Sequence, residues 1–212
     1  MLSGIWLPIV TPLRSGEVDI DALQRLADYY LRTEISGFVA LSTTGEAALL
    51  QEAERLTVLQ ALTDVIGSRL PMLIGVGKEC VKEHFDKLSG LPINVLCGTD
   101  EAFDDCLHHG GTGGILASAH VCADLLVAVQ ELLRAKHDMG ARSLFASLLP
   151  VLRLLFAAPN PSAIKAMLAF DHLLTDQTRM PITRASAQLV ERLSTARDRL
   201  QDLRAEFAGA MN

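Results

Sequence analysis

The chain has 212 residues, half of them apolar, and a formal net charge of −6 at pH 7, which suits one large domain with a substantial core. Acids are spread along it and no basic block appears, so a nucleic-acid partner is not expected. No apolar run reaches the ~18 residues of a membrane span, and the longest candidate, Leu144 to Ala158, is interrupted by Pro150 and Arg153.

The first six residues, Met1 to Trp6, lack the charged-then-apolar order of a signal peptide. Cys80, Cys97, Cys106 and Cys122 are irregularly spaced with no CxxC pair. Reduced thiols, a cytoplasmic location and no metal site are therefore expected.

In chain order, Ile5 to Val10 is a short apolar run that stops at Thr11-Pro12 and reads as a strand. Asp19 to Arg32 has helical spacing, with Ile20, Leu23, Leu26, Ala27, Tyr30 and Leu31 on one face. Gly37 to Leu41 reads as the second strand. Glu52 to Ile66 reads as a helix with Leu56, Leu59, Leu62 and Ile66 inward, and Pro71 to Gly77 as the third strand. A short helix follows over Val81 to Ser89, then a strand over Ile93 to Cys97, a helix over Asp100 to His109, a strand over Gly113 to Ala117 and a long helix over Ala123 to His137. The rest reads helical: Arg142 to Phe156, Ser162 to Leu173, and Thr183 to Phe207 with Thr183 as its cap. His108 and His109 close a helix and read as surface or cap residues.

Alternating strands and helices imply βαβ units around a parallel sheet. The fold class expected is α/β, of the TIM (β/α)8-barrel type, with a barrel-type domain over residues 1–138 and a helical region over 139–212. A complete barrel needs eight strands and about 250 residues; this chain offers five strands, so the barrel is incomplete.

Two strand ends carry candidate chemistry. Lys78 follows the third strand, where a barrel enzyme places an amine nucleophile; the plainer alternative is a solvated strand-end lysine. Burial beside apolar residues lowers a lysine's pKa and supplies the neutral amine that attacks a ketone. Thr43-Thr44-Gly45-Glu46 ends the second strand. Amides at a helix start, two hydroxyls and a glycine that lets backbone approach closely suit a carboxylate. The same Thr43-x-x-Glu46 spacing equally describes a helix capping box.

The sequence resembles the dihydrodipicolinate synthase / N-acetylneuraminate lyase family of pyruvate-dependent class I aldolases. Gly4 to Leu13 is similar to that family's first strand, and Ser42-Thr43-Thr44-Gly45-Glu46-Ala47 to its pyruvate-carboxylate loop. Gly98-Thr99-Asp100 and Gly110 to Ile115 resemble its last two barrel strands, and Pro159-Asn160-Pro161 with Lys165-Ala166 the start of its C-terminal helices.

The resemblance implies a lyase in which Lys78 forms a Schiff base with pyruvate or a related 2-keto acid, for aldol condensation with an aldehyde or for cleavage. It also implies that Thr43, Thr44 and Gly45 hold the carboxylate, that the Ile115 backbone lies beside the keto acid, and that Thr44 passes protons to a tyrosine. No metal or organic cofactor is implied, and a homo-oligomer, dimer or tetramer, is.

The family's central βα units have no counterpart. Tyr29 and Tyr30 both lie inside the first helix, so the relay tyrosine has none either. The resemblance is best met if the third strand runs directly into the family's sixth. Either the polypeptide carries an internal deletion, or the written sequence omits a stretch at Gly77–Lys78. A keto-acid-binding or oligomeric scaffold without turnover is the alternative function.

Overall fold

The structure is a computed structural model, and it describes residues 2–74 and 96–210. The expected end of the third strand, Lys78, the helix over Val81 to Ser89 and the Gly77–Lys78 step lie outside the described residues.

Seven strands are described: β1 (Gly4–Pro8), β2 (Leu13–Arg14), β3 (Glu17–Val18), β4 (Gly37–Ala40), β5 (Met72–Ile74), β6 (Leu96–Cys97) and β7 (Gly113–Ile115). Five form one sheet in the order β5-β4-β1-β7-β6, every neighbouring pair parallel. β1 is central and fully buried, as its unbroken apolar run requires. Trp6 pairs with Gly37 on one side and Ile115 on the other. A Cβ on Gly37 would lie 2.5 Å from the Trp6 ring, so only glycine fits there. Gly113 is equally constrained, since its Cβ would lie 2.1 Å from the Gly4 carbonyl oxygen.

Strands β2 and β3 form a small antiparallel hairpin that periodicity did not indicate. Ser15 and Gly16 both have positive φ at its turn, the geometry that matches hairpin twist.

The helices are α1 (Ile20–Tyr30), α2 (Glu52–Ile66), α3 (Phe103–His108), α4 (Ala119–Arg134), α5 (Asp138–Leu155), α6 (Ser162–Phe170) and α7 (Ala187–Ala210). Asp19 caps α1 by accepting from the Ala22 N–H, and Leu23, Leu26, Ala27 and Tyr30 are buried as expected. On α2 the inward face is Val58, Ala61, Leu62 and Ile66, while Leu56 is 63% exposed. The expectation for Leu56 fails because it lies off the stripe that meets α1 and the sheet. Thr183 does not cap α7. Ser186 does, its hydroxyl accepting from the Leu189 N–H at 3.2 Å, and the Thr183 carbonyl instead receives the Ser162 hydroxyl. Helix α5 continues through Pro150, with Phe156 exposed beyond its end. A single apolar cluster runs from Ile5 in β1 to Leu203 in α7, so the C-terminal helices share the core of the sheet.

Candidate functional site

Because the five strands are parallel, the segments leaving β1, β4, β7 and β6 emerge at one rim. Four side chains or loops there are tied to one another. The Thr11 hydroxyl, past β1, donates to the Gly45 carbonyl at 2.7 Å. The Val10 N–H donates to Nε2 of His120, just past β7, at 3.2 Å, and the opposite ring nitrogen lies 2.8 Å from the Ala117 carbonyl. Nε2 must therefore accept, so the proton sits on Nδ1 and the buried imidazole is neutral. Burial lowers its pKa to about 4, against a smaller opposing contribution from the Ala117 bond. The Asp100 carboxylate, beyond β6, accepts from the Ser118 N–H at 2.7 Å and so ties β6 to the end of β7; burial raises its pKa. It bonds the neighbouring helix start rather than capping the turn that follows it.

The β4 loop carries the expected site residues. Thr43 is exposed, and Thr44 and Gly45 are buried. Neither the Thr43 nor the Thr44 N–H bonds another described residue. Asn160 Nδ2 donates to Thr44 Oγ1 at 2.9 Å, which leaves the Thr44 hydroxyl proton available to an acceptor. Two further polar atoms here, Ser42 Oγ and Asn160 Oδ1, are buried without a hydrogen-bond partner among the described residues. Unsatisfied buried polar atoms are uncommon and call for a partner.

The capping-box alternative is not what forms. Gly45 N–H donates to Ser42 O and Glu46 N–H to Thr43 O, closing a turn. Glu46 is left-handed, at φ 57° and ψ 26°, and only a short 3-10 turn, Ala47–Leu49, follows. Helix α2 starts later, with Glu54 returning to the Gln51 N–H at 2.8 Å. The Glu46 carboxylate turns inward. It accepts from Lys165 Nζ at 2.5 Å and from the Arg179 N–H at 2.8 Å. Lys165 also donates to the Gln177 carbonyl at 2.9 Å. The Arg179 guanidinium pairs with Glu54 and donates to the Gly16 and Leu49 carbonyls. This network straps the segment between α6 and α7 across the β4 loop.

Lys165 enters the sequence resemblance without a role of its own. The signal was present: it is the one charged residue in Ser162–Phe170, an otherwise apolar helix. Ile115 is half-buried at the end of β7, in register with Trp6. Lys78 lies outside the described residues. Among the described residues, no three His, Cys, Asp or Glu side chains converge to hold a metal, and no helix is long and apolar enough to cross a membrane.

Thr11→Val should lower the unfolding free energy by about 1 kcal/mol, since it removes a buried hydroxyl donor from the Gly45 carbonyl. Paired urea titrations would show it, and an unchanged midpoint would place that carbonyl in contact with water.

A sequence model described as the dihydrodipicolinate synthetase family matches residues 1–91 and again 86–198. The chain belongs to this family. The two matches overlap at 86–91, beyond the Gly77–Lys78 step at which a junction is expected, and Lys78 falls within the first match only. The 4-hydroxy-tetrahydrodipicolinate synthase 2 of Clostridium acetobutylicum is 21% identical over 281 residues, covering 91% of this chain and 98% of that protein. That alignment exceeds the 212 residues present, so it spans a gap. The 4-hydroxy-tetrahydrodipicolinate synthase of Laribacter hongkongensis is 40% identical over 87 residues, but these cover 41% of this chain and 30% of that protein. The structure of the synthase from Methylacidiphilum fumariolicum SolV superposes with a TM-score of 0.84 at 19% identity, covering 97% of this chain and 98% of that one. A structure described as a monomeric dihydrodipicolinate synthase variant gives 0.82 at 18% identity. The dihydrodipicolinate synthetase fold is thus present as an incomplete TIM barrel, with five parallel strands among the described residues and C-terminal helices.

Proposed function

We propose that the chain acts as a lyase or aldolase that takes pyruvate, or a related 2-keto acid, at the β4 loop and forms a Schiff base with it through Lys78. The observation that carries this reading is the loop itself: two amides, at Thr43 and Thr44, that bond no other described residue, beside a Thr44 hydroxyl whose oxygen already accepts from Asn160. Such a group of donors suits a carboxylate.

Lys78 stands four residues beyond Ile74 in the sequence, and β5 pairs with β4, the strand that feeds the loop. In this scheme the Lys78 amine is the nucleophile. Its neutral Nζ would attack the keto carbon and water would leave, giving an iminium. The iminium withdraws electrons from the adjacent carbon, so a methyl proton can be lost and the resulting enamine can add to an aldehyde. Gly45 would let the acid approach the backbone, and the Ile115 backbone would face the keto acid. Thr44 would act as a proton donor rather than a relay to tyrosine. The scheme needs no metal or organic cofactor. A cytoplasmic location and homo-oligomeric assembly belong to the same reading.

A second reading, keto-acid binding without turnover, is favoured by one observation. Both tyrosines lie in α1, and the Tyr30 hydroxyl is committed to the His120 carbonyl at 2.7 Å, so neither serves the loop. Borohydride reduction in the presence of pyruvate separates the two readings. The expected result is a stable adduct mapped to Lys78 by intact mass and peptide analysis, and lost in Lys78→Ala. Pyruvate binding without any adduct would establish the second reading; an adduct on another lysine would overturn the assignment to Lys78.

A further inference from the structure

We propose that Glu46, Lys165 and Asn160 are positioning residues that hold the Thr43–Gly45 loop in its ligand-receiving shape from the C-terminal helices. This rests on the keto-acid reading of the loop and adds to it the device that shapes the site.

A left-handed backbone at a residue other than glycine is uncommon, and it persists only where the surroundings over-determine it. Glu46 is such a residue. What over-determines it is its own carboxylate, gripped on one oxygen by Lys165 and on the other by the Arg179 N–H. The ion pair is closed to solvent: the Lys165 side chain is 0% exposed and that of Glu46 1%. The contact joins residues 119 positions apart, so α6 reaches directly into the turn.

The turn's geometry follows from this anchor. With Glu46 left-handed, the chain reverses immediately after Gly45, and the Thr43 and Thr44 amides stay out of any helical ladder. Asn160, five residues before Lys165, orients the other half of the site by donating to Thr44 Oγ1. Lys165 itself is unsuited to attack a carbonyl, because it is fully buried and held as an ammonium against the Glu46 carboxylate and the Gln177 carbonyl. The other described lysine, Lys136, is exposed. A buried ammonium spent on one carboxylate at the edge of an anion-receiving turn is explained by shaping that turn.

The test uses the full chain in 1H–15N NMR with a pyruvate titration. The variant Glu46→Gln/Lys165→Met removes both charges together, so neither is left buried alone. It should displace the Thr43, Thr44 and Gly45 amide signals while those of β1 and β7 keep their positions. It should also weaken pyruvate binding by about tenfold or more, the worth of one or two charge-assisted hydrogen bonds. Asn160→Ala, which leaves the ion pair intact, should shift the Thr44 signal and weaken pyruvate binding, and it decides the matter should the double variant fail to fold.

Loop signals at wild-type positions in either folded variant, or wild-type affinity for pyruvate, would overturn the proposal. If the wild-type loop signals ignore pyruvate, the keto-acid reading falls. Displacement of the same signals in the variants would then still establish the anchoring.

Discussion

Lys165→Met is expected to lower the unfolding free energy by about 3–5 kcal/mol, the usual cost of leaving one partner of a buried ion pair alone. Glu46 would keep its carboxylate with only the Arg179 N–H to satisfy it, in a site from which water is excluded. Burial pushes the Lys165 ammonium's pKa down, and the Glu46 carboxylate opposes that shift, so each charge depends on the other. Glu46→Gln should be costly as well, because an amide has one accepting oxygen and must turn its NH2 toward either the Lys165 ammonium or the Arg179 N–H, which bond different oxygens of the carboxylate. The double variant Glu46→Gln/Lys165→Met should recover much of the loss, since it leaves no isolated charge. A double-mutant cycle by urea unfolding at neutral pH measures the coupling. Single-variant losses below about 1 kcal/mol, the range of exposed pairs, would mean that water reaches the pair.

The second large effect is a loss of stability between pH 6.5 and 4 that depends on His120. Its imidazole is buried, accepts from Val10 and stays neutral, with a pKa near 4 in the fold against 6.5 in the unfolded chain. The unfolded state therefore binds more protons throughout that window. The contribution of His120 is fully present above about pH 6.5, falls as the pH drops and levels off below about 4. At about 1.36 kcal/mol for each unit of pKa difference the total comes to about 3 kcal/mol.

Asp100 works in the opposite direction, because burial raises its pKa and protonation favours the fold as pH falls. Glu54 and Asp28, held low by arginines, lose their contributions only below their ordinary values of 4.5 and 3.8. The difference between wild type and His120→Gln therefore isolates the histidine, since glutamine retains an acceptor for Val10 and does not titrate. Parallel stability curves for the two proteins from pH 7.5 to 4.5 would contradict a neutral, buried His120.

Much of the fold was legible because its determinants are local. β1 reads as a continuous apolar run before Thr11-Pro12, and α1 as a one-faced apolar stripe; both formed within two residues of where the pattern placed them. The β2–β3 hairpin escaped notice because two-residue strands leave no period to detect. The capping box at Thr43 and Glu46 was a spacing without its helix. The Glu46 carboxylate pairs instead with Lys165, 119 residues away, and once committed there it does not return to the Thr43 N–H. Leu56 was counted inward because helical spacing indicates which residues share a face, not how wide a stripe the neighbouring elements cover.

The sequence by itself determined the family, the alternation of strand and helix, and the incompleteness of the barrel. These reside in residue order and short-range pattern. Only the tertiary structure decided that Lys165 grips Glu46, that Asn160 bonds Thr44, and that His120 is neutral and buried against Val10. Each of these contacts joins residues more than 100 positions apart. Their protonation and orientation depend on burial, which arises only when the whole core closes.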